Sequence, residues 1–121
     1  MKLLEGKVAI ITGAASPRGL GKATALLFAE HGARIAILDL DAGQASEAAA
    51  DLGDAHIGLA CDVTIKTDCD AAMAQILEAF GQVDILVNNA GITQPLKIMD
   101  ISHENYDAVM DVNLLGTLNM S

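Results

Sequence analysis

The stretch Thr12-Gly13-Ala14-Ala15-Ser16-Pro17-Arg18-Gly19-Leu20-Gly21-Lys22 holds residue types that could do chemistry together. It follows an apolar run, Lys7 to Thr12, and opens a segment with helical spacing. Glycines at such a junction let the chain turn tightly and let backbone N–H groups approach a phosphate at the helix N-terminus. Gly13, Ser16, Arg18, Gly19, Leu20 and Gly21 are therefore candidate phosphate-side residues, with Lys22 a second cation at the same helix start. A purely structural turn with two solvated charges has the same composition. A nucleoside-triphosphatase loop is excluded, because G-x-x-x-x-G-K-[ST] read back from Gly21-Lys22 finds Ser16 at its first position and Ala23 at its last.

A second signal is Asp39, followed by Leu40, at the end of the next apolar run. In a dinucleotide fold a carboxylate at this point accepts hydrogen bonds from the adenosine ribose hydroxyls. Its charge repels a 2′-phosphate, so NAD is expected over NADP, although Arg18 nearby could host such a phosphate. The plainer reading is that Asp39 and Asp41 end a strand and begin a turn.

These residues need a scaffold, and the chain supplies one. Apolar runs at Lys7 to Thr12, Arg34 to Leu38, Ile57 to Cys61 and Val83 to Val87 read as strands. Helical spacing occupies Gly19 to Glu30, with Leu20, Ala23 and Leu27 on one face, then Gly43 to Leu52 and Thr64 to Phe80. A last helix opens at Ser102 and carries Val109, Val112 and Leu115 to Leu118. Strands alternating with helices predict parallel pairing through right-handed crossovers. The fold class is α/β, a Rossmann-like doubly wound parallel sheet in three α/β/α layers, incomplete at its C-terminal side. The last helical pattern is still running at Leu118-Asn119-Met120-Ser121, and the fourth strand is expected at a sheet edge.

Composition narrows the partners. The 121 residues are 52% hydrophobic and 19% charged, with a net charge of −9, which excludes a basic nucleic-acid or membrane-binding face. No window offers the ~20 apolar residues of a membrane span. Cys61 and Cys69 match neither a disulfide framework nor a zinc pattern, and suit a reducing, cytoplasmic setting. His31, His56 and His103 lack ligand partners at metal spacing, so no metal is expected. Asp68, Asp70, Asp107 and Asp111 read as solvated helix faces.

Three further segments give the chain a family likeness. Cys61-Asp62-Val63-Thr64 follows the third strand, Asn88-Asn89-Ala90-Gly91 follows the fourth, and Asp111-Val112-Asn113 lies in the last helix. With the Thr12-Gly13 turn and Asp39, the chain resembles the short-chain dehydrogenase/reductase family over essentially its whole length. The resemblance implies that Asp62 binds the adenine amino group and that Val63 packs on the adenine ring. It implies that the backbone of Asn89, Ala90 and Gly91 lies against the cofactor ribose. It also makes Asn113 the catalytic asparagine that holds a helix kink and a proton-relay water.

The chain departs from that family in two places. Five residues, Pro17 among them, separate Gly13 from Gly19, where the family has three, so the amides that face the pyrophosphate are left open. The family's serine and Tyr-x-x-x-Lys lie beyond its asparagine, whereas Tyr106 precedes Asn113 and is followed four residues later by Met110. Residues 1–121 are accordingly expected to be the N-terminal part of an NAD(P)-binding domain whose C-terminal catalytic and substrate part is absent from this chain, with no meaningful turnover alone. The complete protein would move hydride between the nicotinamide cofactor and a small-molecule alcohol/carbonyl pair, as a homo-oligomer. The alternative is a non-catalytic NAD or ADP-ribose module acting through a partner chain.

Overall fold

The run Val8-Ala9-Ile10-Ile11-Thr12 is buried along its full length, and the rest of the molecule is arranged around it. The computed structural model describes residues 2–16, 19–90 and 102–121. Within them the sheet has four parallel strands in the order β3-β2-β1-β4, where β1 is Val8–Thr12, β2 Arg34–Asp39, β3 Ile57–Ala60 and β4 Ile85–Val87. Ile10 lies opposite Ala36 on one side and Leu86 on the other. The helices are α1 (Leu20–Glu30), α2 (Ala42–Leu52), α3 (Lys66–Phe80), α4 (His103–Met110) and α5 (Gly116–Met120).

Alternation along β1 and β2 divides the core into two layers, as a period of two requires. Ala9, Ile11, Ile35 and Ile37 face Ala25 of α1 and Ala45, Ala48 and Ala49 of α2. Val8, Ile10, Ala36 and Leu38 face Cys69, Ala72 and Ile76 of α3 and Met120 of α5. Continuous apolar strands are what a sheet covered on both faces needs. The three-layer α/β arrangement is the expected one.

Small residues set the layer spacing. A β-carbon on Gly58 of β3 would run into the backbone of Ala45, so glycine there lets α2 lie directly on the sheet. The face of α1 differs from the expected one: Gly21 and Ala25 are buried, while Leu20 (78%) and Leu27 (53%) are exposed. Leucines would hold the helix off the sheet; glycine and alanine bring it close.

The termini of the elements follow local chemistry. Asp41 caps α2 by accepting the Gln44 N–H at 2.9 Å. Gly81 ends α3 in the left-handed region at φ 79°, where glycine has no β-carbon to strain. β4 is shorter than the run Val83 to Val87, although the backbone N–H of Asp84, just ahead of it, still donates to the Val8 carbonyl of β1 at 2.9 Å. The Asp84 carboxylate accepts the Val8 N–H at 2.9 Å, and that bond holds the carboxyl below the usual range.

The last helical stretch changes pitch. Between α4 and α5, Asp111–Leu115 forms a π-helical turn, and the Gly116 N–H donates to the carbonyl of Asp111 five residues back. α5 then packs on α3, with Gly116 against Val63.

Candidate functional site

Functional side chains gather at the carboxyl ends of the four strands, the edge where open α/β sheets bind ligands. A cleft of about 520 Å³ lies there, within the range of roughly 300–1,000 Å³ typical of small-molecule sites. Gly13, Asp39, Leu40, Asp62, Val63, Asn89 and Ala90, all expected from sequence, line it together. Leu38, Cys61, Thr64, Ala108, Asp111 and Val112 complete the lining. Asp111, read from sequence as a solvated face, is exposed into this cleft.

Thr12 organises the end of β1. It is 1% exposed, and its hydroxyl oxygen accepts the N–H groups of both Asn89 and Ala90 at 3.0 Å while donating to the Val87 carbonyl at 3.5 Å. The loop after β4 is thus tied to the turn after β1. Gly13 completes the join at φ 66°, since a β-carbon there would lie 2.8 Å from the Ala90 α-carbon.

Asp39 ends β2 and braces the glycine-rich turn. One carboxylate oxygen accepts the Ala15 N–H at 3.1 Å, and the other accepts the Leu40 N–H at 2.8 Å. A carboxylate offers about four lone-pair sites, so both oxygens retain capacity toward the cleft.

Several amides of the turn are already engaged. The Gly13 N–H donates to Leu38 at 2.8 Å, and the Gly19 N–H donates to Ser16 at 3.0 Å. Gly19 caps α1 in extended conformation without a side-chain acceptor, and no acidic residue occupies the first turn. The N–H groups of Leu20 and Gly21 sit in that first turn, ahead of any intrahelical acceptor. An anion is the natural complement of such an end. Lys22, by contrast, turns toward α2, where its ammonium lies 3.1 Å from Asp51.

On the opposite wall, Asp62 accepts both the N–H (2.9 Å) and the hydroxyl (2.6 Å) of Thr64. The Val63 carbonyl accepts the Asn119 side-chain N–H at 2.9 Å, and the Asn119 carbonyl accepts the Lys66 ammonium at 2.9 Å. Cys61 is buried in this wall, where desolvation and then the neighbouring Cys69 push its thiol up to about 12. Neither cysteine is bonded to another.

The remaining expected residues lie around the cleft rather than in it. Ser16 lines a neighbouring cavity, and Gly19, Leu20 and Gly21 form the start of α1. Asn113 sits inside the π-helical turn, its carbonyl accepting the Thr117 hydroxyl at 3.1 Å, next to the cleft residues Asp111 and Val112. Arg18 and Gly91 lie outside the described residues. Sequence reading gave no role to Thr12, Thr64 or Asn119. The first two belong to motifs already singled out, the Thr12-Gly13 turn and Cys61-Asp62-Val63-Thr64; the reach of Asn119 to Val63 spans residues far apart in the chain and had no local signal.

Among the described residues no group of His, Cys, Asp or Glu could hold a metal, and no helix is long and apolar enough to cross a membrane.

A parallel sheet, a glycine-rich turn at a helix start and a strand-end carboxylate define an α/β protein with a nucleotide-type cleft. The short chain dehydrogenase family profile matches residues 7–121, and this chain belongs to the short-chain dehydrogenase/reductase family of oxidoreductases. It is 54% identical over 123 residues to an uncharacterized short-chain type dehydrogenase/reductase of Sinorhizobium fredii, covering 98% of this chain and 49% of that protein. Over 117 residues it is 42% identical to a sorbitol dehydrogenase of Cereibacter sphaeroides, covering 97% and 45%. A crystal structure of 3-ketoacyl-(acyl-carrier-protein) reductase from Brucella melitensis complexed with NADH superposes with a TM-score of 0.91 at 44% identity, covering 97% of this chain and 48% of that one. The chain spans about half the length of the curated relatives it matches.

Proposed function

We propose that residues 1–121 form the N-terminal, NAD-binding part of a short-chain oxidoreductase that moves hydride between the nicotinamide ring and an alcohol/carbonyl pair. The observation that carries this reading is Asp39, a carboxylate at the end of β2 that opens onto the cleft and whose N–H donors among the described residues are Ala15 and Leu40. Its free lone pairs suit the two ribose hydroxyls of an adenosine. The first-turn amides of α1, from Leu20 and Gly21, would receive the pyrophosphate, with Gly13, Ser16, Arg18 and Gly19 shaping the turn. Asp62 and Val63 would take the adenine, with Leu40 beside it. Asn89, Ala90 and Gly91 would lie along the nicotinamide-side ribose. The nicotinamide ring supplies the hydride chemistry when bound.

Asn113 is assigned the one catalytic role on this chain, positioning a water for proton transfer. A π-helical turn at this residue supports that assignment, because such turns collect at functional sites. The positioned acid and base of the family, worth about 10²–10⁴-fold, lie beyond the asparagine in its members. The partner surface is the exposed Leu114 and Leu118 of the last helical stretch, assigned here to a second copy of the protein. A cytoplasmic location accords with two unbonded cysteines.

Calorimetry with NAD, NADP and 5′-AMP tests the reading. NAD is expected to bind more tightly than NADP, and Asp39→Ala to weaken NAD by about tenfold, the worth of hydrogen bonds to a charged group. Tighter NADP binding by the unmodified protein would overturn the NAD assignment.

A further inference from the structure

Cys61 and Cys69 bracket the segment Asp62-Val63-Thr64-Ile65, one just past β3 and the other in the first turn of α3. The fold brings them back together in the core layer under α3, where they are 4% and 2% exposed. The two thiols are hydrogen-bonded to each other. The Cys69 thiol also reaches the Val63 carbonyl at 3.7 Å. Cys61 lines the cleft, so a reagent entering there meets Cys61 first and Cys69 through it.

The surroundings decide what such a pair can react with. Burial pushes both thiols up, Cys61 to about 12, and the negative charge of Asp68 adds to each. Both therefore hold their protons near neutral pH. Disulfide exchange begins with attack by a thiolate, and peroxide oxidation follows thiolate character, so the pair is poorly suited to either. A metal ion also needs ionised sulfur, and among the described residues no further His, Cys, Asp or Glu completes a metal group here. The reagent that fits takes two neutral thiols and buries no charge.

We infer that Cys61 and Cys69 form a capture site for trivalent arsenicals, entered from the cleft. A hydrated arsenical carries two As–OH groups. Two As–O bonds break and two As–S bonds form, and each hydroxide leaves as water with one thiol proton. Arsenic stays trivalent, and the product is neutral. Because the sulfurs are already in contact, the second bond forms within the molecule at high effective concentration. The Val63 carbonyl loses its sulfur donor in the adduct but keeps the Asn119 side-chain N–H at 2.9 Å, so no buried acceptor is stranded.

Phenylarsine oxide is the probe, and the intact mass of the full chain is the readout. One arsenical per chain is expected, with both thiols lost to a thiol assay of the unfolded product. The adduct should survive a large excess of reduced glutathione and be released by dithiothreitol, since only a dithiol can replace a two-sulfur bridge. That contrast tests the bridge without any substitution. Cys61→Ala and Cys69→Ala, each checked for folding by its urea midpoint, should both lose the glutathione-resistant label. Hydrogen peroxide at the same concentration should leave both thiols free over the time in which the arsenical reacts. An absent adduct, one that glutathione removes, one that persists in either variant, or a disulfide that forms faster than the adduct overturns the proposal.

Discussion

The side-chain amide of Asn89 donates to the carbonyl of Gly13 at 3.1 Å and occupies the space that a β-carbon on Gly21 would need. One residue after β4 therefore fixes the turn after β1 and the second position of α1. The missing side chain of Gly21 is what admits it.

Gly21→Ala should consequently destabilise the protein by about 1–3 kcal/mol, the usual cost of forcing a methyl group into packed space. Urea denaturation measures it. A double-mutant cycle with Asn89→Ala should recover part of the loss, since the clash is with that side chain. Strict additivity of the two substitutions would show that they do not meet.

Thr12 carries the same junction from below. Thr12→Val preserves the shape but removes the acceptor shared by the part-buried N–H groups of Asn89 and Ala90, of which the Asn89 N–H keeps the Val87 carbonyl at 3.0 Å, at a cost of about 1 kcal/mol. Thr12→Ser should restore most of it, because the hydroxyl and not the methyl makes the bonds. Equal stability of the valine and serine variants would place the role of Thr12 in its packing instead.

The parts legible in sequence were those governed by local pattern. Apolar runs located all four strands, Gly81 and Gly53 marked two helix ends, and the motifs around Gly13, Asp39, Asp62 and Asn89 converged on one cleft. What escaped was decided between elements. The alternation of leucines in α1 pointed to a Leu20–Leu27 face, but close packing on the sheet selected Gly21 and Ala25. Lys22 sits at a helix start yet answers Asp51, a partner 29 positions away. The π-helical turn at Asn113 has no periodic signature of its own, because its neighbours remain helical in backbone angle on both sides; it was the family resemblance, not periodicity, that implied a helix kink there.

Asn119 joins the last helix to the adenine wall. Its side chain donates to the Val63 carbonyl while its own carbonyl accepts Lys66. Asn119→Ala should weaken 5′-AMP binding about fivefold, equivalent to the ~1 kcal/mol net worth of one hydrogen bond. Asn119→Asp should be worse than alanine, since it sets an acceptor against an acceptor. Calorimetry ranks the three proteins. An aspartate variant that binds as well as the parent would remove Asn119 from the site.

His56 makes the stability of the sheet depend on pH. Its Nδ1 accepts the N–H of Ile35 at 2.9 Å, just before the paired stretch of β2 and β3 begins. Only the neutral ring can accept there; the imidazolium carries donors on both nitrogens. Burial lowers the pKa of His56 from the ordinary 6.5, so the unfolded chain takes up the proton first as pH falls. The contribution is fully present above about pH 6.5 and is lost progressively below it, down through the depressed folded value. Urea midpoints should therefore decline as pH falls below about 6.5 in the parent protein. In His56→Asn, whose amide oxygen can accept without titrating, that part of the decline should disappear. Parallel pH profiles for the two proteins would show that the Ile35 bond does not govern it.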